Sequence, residues 1–140
     1  MKNLDFNTSY KEYSINGDTN RVLRIKTTDM NILSRIRKAE KQLRKIADDC
    51  SNITDNSKVV ETITELDVKV REQIDFIFDD KVSDIIFGNT NCLSIAGGKP
   101  IFENFLDVVL PVIKEDISSE QQNLEKMIGK YTSKVPRITK

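Results

Sequence analysis

Apolar residues recur at Ile32, Ile36, Ala39, Leu43, Ile46 and Cys50, in alternating steps of four and three. A helix of 3.6 residues per turn gathers all six onto one stripe, which an extended chain would not do. The spacing predicts an amphipathic helix of about 20 residues, roughly 30 Å long. Arg35, Arg37, Lys38, Lys41, Arg44 and Lys45 fall mostly off the stripe. Thr28 or Asp29 is placed to cap the helix start by accepting an orphan amide hydrogen. After the polar break "SNITDNS" comes a second stripe, Val59, Ile63, Leu66, Val70, Ile74 and Ile77, widened near its ends by Val60, Phe76 and Phe78. It predicts a helix from about Lys58 to Asp79, and the short break suggests that the two helices form an antiparallel pair.

The flanking segments follow other rules. "YKEYSI" and "RVLRIK" tend to alternate around "NGDTN", and Asn-Gly supplies the positive backbone angles of a tight hairpin turn. A two-stranded ribbon is marginal in water, so this hairpin, over about residues 8–27, needs the helices for support. "DDKVSDIIFG" predicts a short third helix from about Asp80 to Phe87, stopped by Gly88. A fourth helix is expected from near Pro100, because proline suits a first helical turn. Its run Ile101, Phe102, Phe105, Leu106, Val108, Val109, Val112, Ile113 is the most hydrophobic in the chain. It reads as the central core helix, kinked or interrupted at Pro111, resuming through Ile117, Leu124 and Ile128. The last fifteen residues hold five basic side chains and no acidic one. The resulting expectation is a mainly α single domain over residues 1–125, of about four helices with an N-terminal β-hairpin, followed by a basic, flexible tail over 126–140.

Composition narrows the function classes. The chain of 140 residues is long enough for one domain that buries about two-thirds of its unfolded surface. Lys plus Arg and Asp plus Glu both total 22, which argues against the general attraction to nucleic acid of strongly basic domains. There is no histidine, so Ser-His-Asp and Cys-His catalysis and His-ligated zinc are excluded. Two isolated cysteines, Cys50 and Cys92, suggest free thiols in a reducing cytoplasm. No apolar run approaches the roughly 18 residues of a membrane span. Catalysis by carboxylates or lysine stays formally open, but no catalytic residue, metal ligand or cofactor site is expected.

Four features invite a functional reading. Gly97-Gly98-Lys99-Pro100 before a helix suggests bound phosphate, but a phosphate loop spaces its glycines and follows lysine with Ser or Thr. Adjacent glycines and a proline make this a junction between helices instead. The basic face of the first helix shares that helix with Asp29, Glu40, Asp48 and Asp49 and lacks aromatics for base stacking, so it reads as a solvated face or one meeting an acidic partner. Asp75, Asp79, Asp80 and Asp84 have near-helical spacing, yet Lys81 interrupts them and no EF-hand pattern is present; capping at a helix junction explains them. Leu93, Ile95, Ile101, Phe102 and Phe105 cluster around a turn. One reading puts all five in the core. The other leaves part of this surplus exposed as a partner-binding surface suited to an amphipathic helix laid in a groove.

The order of "YKEYSINGDTNRVLRIKTTD", "ELDVKVREQIDFIFDDKVSDIIFG" and "GGKPIFENFLDVVLPVI" resembles small proteins encoded between the major tail protein and the tape measure protein in long-tailed phages of Firmicutes. These are similar to tail assembly chaperones. The resemblance covers roughly residues 10–114 and does not extend to the basic segment after residue 125. It implies a non-enzymatic, oligomeric protein of the host cytoplasm that coats the tape measure protein before the tail tube polymerises, and that is absent from the virion. No cofactor and no membrane partner are expected, and the balanced charge argues against nucleic acid as a partner. A small phage regulator or inhibitor, binding a host protein or nucleic acid through the basic helix and tail, is the alternative.

Overall fold

The structure is a computed structural model and describes residues 1–51 and 56–134. Among the described residues the elements run β1 (Tyr10–Ile15), β2 (Asp18–Lys26), α1 (Asn31–Ser51), a 3-10 turn (Asn56–Lys58), α2 (Val59–Phe78), α3 (Ser83–Phe87), β3 (Ile95–Ala96), β4 (Lys99–Pro100) and α4 (Ile101–Lys134). The described residues are 62% helical, with four helices and an N-terminal hairpin among them, as the sequence pattern led us to expect.

The striped helices form because their apolar faces meet. Ile32, Ala39, Leu43 and Ile46 of α1 are buried, as are Leu66, Val70, Ile74, Ile77 and Phe78 of α2. Arg35, near the start of α1, donates to the Ile77 carbonyl near the end of α2 at 2.8 Å, so the pair is antiparallel. Phe78 joins the core, but Val60 and Phe76 point to solvent. They lie off the main stripe, and burial on one side of a helix decides the matter. At the start of α1 the Asp29 carboxylate accepts the Asn31 amide, 3.0 Å away.

β1 and β2 pair antiparallel through Asn16-Gly17, with φ of 51° and 77°. Both angles are positive, as the primed hairpin turn requires. Leu23 and Ile25 drive one face of the ribbon into the core, while Arg24 and Lys26 lie over the Tyr10 ring on the other. Arg21 fastens the ribbon to α3 by donating to the carbonyls of Ile85 and Ile86.

The third and fourth helices depart from expectation in detail. α3 starts at Ser83, three residues later than the pattern suggested, because Asp75 caps it from α2. The Asp75 carboxylate accepts the amides of Val82 (2.9 Å) and Ser83 (2.7 Å) and the Ser83 hydroxyl (3.1 Å). α4 continues through Pro111 without interruption. Among the described residues of α4, Phe102, Val109, Ile113 and Ile117 are buried, and Val108 is 69% exposed. It packs along the edge of the core, while α1 and α2 form its centre. Residues 126–134, expected in the tail, continue α4, and 135–140 lie outside the described residues. No helix among the described residues is long and apolar enough to cross a membrane.

Candidate partner-binding surface

α4 is the element around which open apolar surface collects. Because it lies at the edge of the core, each of its flanks faces a gap. On one side α4 and the β-hairpin enclose a groove of about 340 Å³, walled by Tyr13 and Ile15 from β1, Leu23 and Ile25 from β2, Phe87 from α3, and Ile101, Phe105, Val108 and Val112 from α4. On the other side α4 and α1 enclose a groove of about 490 Å³ between Ile36, Leu43 and Ala47 and Phe102, Leu106 and Leu110, with Ile77 at its floor.

The five residues singled out in sequence separate on this map. Leu93 is buried and belongs to the core. Ile95 is 66% exposed on the short β3 strand. Ile101 and Phe105 line the hairpin groove, whereas Phe102 is buried and faces the α1 groove. Phe105 is held in place by two edge-to-face contacts, with Phe78 at 6.2 Å and Phe87 at 5.9 Å between ring centres, the geometry aromatic pairs prefer. The wall is therefore preformed. Val108 and the hairpin residues Tyr13 and Ile15 complete it, and no short-range sequence signal marks them, because strand and helix meet only in the fold.

Two polar networks tie these elements together. Asp116 on α4 accepts hydrogen bonds from the Thr27 hydroxyl (2.5 Å) and the Tyr13 hydroxyl (3.1 Å), and pairs with Lys11 at 3.1 Å. Burial would raise the Asp116 carboxyl, but the Thr27, Lys11 and Tyr13 donors outweigh it and hold it below the usual carboxylate value. The same contact, with burial as the larger cause, raises the Tyr13 phenol. The second network holds the segment between α3 and α4. Arg71 of α2 pairs with Asp67 and Asp84 and donates to the carbonyls of Gly88 (2.9 Å) and Thr90 (2.8 Å). Asp67 also accepts the Cys92 amide at 2.8 Å and its thiol at 2.9 Å. Burial, and then the adjacent carboxylate, push the Cys92 thiol far up, which keeps it protonated and unreactive.

The remaining motifs are structural. Gly97 and Gly98, at φ of 66° and 85°, form the two-residue turn between β3 and β4. This is a small hairpin leading into α4 rather than a direct helix-to-helix turn, and Lys99 beyond it pairs with Asp107. Asp75 is occupied with capping and Asp84 with Arg71. Among the described residues no group of three or more acidic or cysteine side chains is placed to hold a metal ion. What the arrangement offers chemically is apolar area in two grooves. In comparisons with known proteins, no family model, no curated protein and no solved structure matches this chain.

Proposed function

We propose that the protein is a phage tail assembly chaperone that takes apolar helical stripes of the tape measure protein into the groove between the hairpin and α4. The observation that carries this reading is the groove itself: a preformed apolar trough of about 340 Å³ whose rim residue Val108 is 69% exposed. An amphipathic helix binds such a trough by inserting side chains at one-turn spacing. A tape measure protein, long, helical and apolar along its stripes, aggregates unless such stripes are covered. Many weak, repeated contacts by copies of a small chaperone would cover them and still release them when the tail tube assembles. The chaperone acts in the host cytoplasm and leaves before the virion matures.

Co-expression tests this. The helical region of the tape measure protein from the same genome should move into the soluble fraction with the wild-type chain and fall back out with Val108→Asp, a change at an exposed position. Equal insolubility with and without the chain would refute the chaperone reading. Retention on nucleic acid that weakens steeply with salt would replace it with the regulator reading.

A further inference from the structure

We propose that the outer face of α1 is a docking surface for an acidic segment of a partner protein. This inference does not depend on what fills the hairpin groove.

Arg37, Lys38, Lys41 and Lys45 are all exposed. At 3.6 residues per turn they fall within about 100° of the α1 circumference and about 12 Å of its length. Their side is opposite the buried stripe of Ile32, Ala39, Leu43 and Ile46. Acidic and basic residues are equal in number over the chain, and Lys11, Arg35, Arg44, Arg71 and Lys99 each have a carboxylate partner. The four cations on this face have no ion pair among the described residues.

The layout works against the helix that carries it. Lys41 has like charges at Arg37, Lys38 and Lys45, three or four positions away, and like charges at that spacing weaken a helix. The first turn of α1 holds no acidic residue and the last turn no basic one. Asp48 and Asp49 stand near that end instead, the reverse of what the helix dipole favours. α1 is held by its buried face, and these outer charges do not stabilise it. Local rules are broken in this way where a surface serves something outside its own fold.

The face also selects among anions. A membrane surface holds a basic helix through apolar side chains inserted beside the charges, whereas this face adds only the polar Ser34 and Gln42. A nucleic acid duplex continues past the patch with a charge every ~1.7 Å, and there it meets Glu40 to one side and Asp48 and Asp49 beyond the end. α1 has no aromatic residue for stacking on bases. A protein segment can instead place carboxylates one helical turn apart, opposite Arg37, Lys41 and Lys45, and basic residues opposite Asp48 and Asp49. Exposed contacts of this kind are screened by salt, so the face speeds and orients encounter rather than holding the partner tightly.

The test is a nuclear magnetic resonance titration of the isotope-labelled full chain at low salt. The probe is a synthetic alanine-based helix with glutamates one turn apart. Its controls are the same helix with lysines, a short DNA duplex, and phosphatidylserine vesicles. The glutamate helix should shift the amides of residues 34–45 and lose about ten-fold or more in affinity at moderate salt. The lysine helix should shift nothing there. R37E/K41E/K45E should abolish binding of the glutamate helix and admit the lysine helix instead, a rescue that loss of folding cannot mimic. K41E alone should raise the thermal midpoint, because its three like-charge neighbours become opposite-charge ones. No shift with the glutamate helix, or shifts centred away from α1, would overturn the proposal. So would tighter binding of the duplex or the vesicles, which would make the partner a nucleic acid or a membrane. Shifts in α1 that follow the chain's own concentration would overturn it too, by making the partner a second copy.

Discussion

Asp116 fixes where the hairpin sits, since Tyr13, Thr27 and Lys11 all converge on its carboxylate. Asp116→Ala leaves a buried threonine hydroxyl without its acceptor and should cost about 1–3 kcal/mol, measured as a fall in thermal midpoint. The carboxyls of Asp116, Asp67 and Asp29 are all lowered in the folded state. Groups lowered in this way contribute stability that is complete above the unfolded carboxyl value of about 4 and is lost as pH falls through the folded values below it. Thermal midpoints should be level from neutral pH to about 5 and drop below 4, with a shallower drop in Asp116→Asn. Thiol labelling reads the second network. Cys50 is half-buried and Cys92 fully buried against Asp67, so one thiol should react in the native protein and both in denaturant. Equal native rates would contradict the buried thiol–carboxylate contact.

Among the elements, the segment from Gly88 to Cys92 has little regular structure of its own and depends on Arg71. The Arg71 guanidinium reaches two carboxylates and two carbonyls, so Arg71→Met should destabilise the fold by about 2–3 kcal/mol and raise amide exchange across residues 88–93. Exchange unchanged there would show that the guanidinium is not what holds this segment. α1 and α2 were legible in sequence because a stripe repeated over five turns leaves one face to bury, and the Asn16-Gly17 turn because few dipeptides accept two positive φ angles. Pro111 was not legible as a continuous helix residue. Its missing amide normally ends a helix, but here Val109, Ile113 and Ile117 are buried on either side of it, and that burial offsets the lost hydrogen bond. The start of α3 was hidden for a similar reason: its cap, Asp75, belongs to the preceding helix.

At the scale of the whole molecule, a core centred on α1 and α2 leaves α4 as an edge with an apolar trough on either flank. Sequence pointed to apolar surplus near the turn, and Ile101 and Phe105 do line a groove. It did not separate them from Leu93, which is buried, because inward and outward positions on an edge helix are assigned by neighbours distant along the chain. It also missed Tyr13, Ile15 and Val108, whose meeting is tertiary. The central claim is that the hairpin groove binds an amphipathic helix through apolar contact. Calorimetric titration of the full chain with a soluble helical segment of the tape measure protein, at several temperatures and two salt concentrations, tests it most directly. The account predicts a negative heat-capacity change, an affinity that varies less than about two-fold with salt, and loss of binding in Val108→Asp. A heat-capacity change near zero with affinity falling ten-fold or more in salt, or wild-type binding by Val108→Asp, would contradict it.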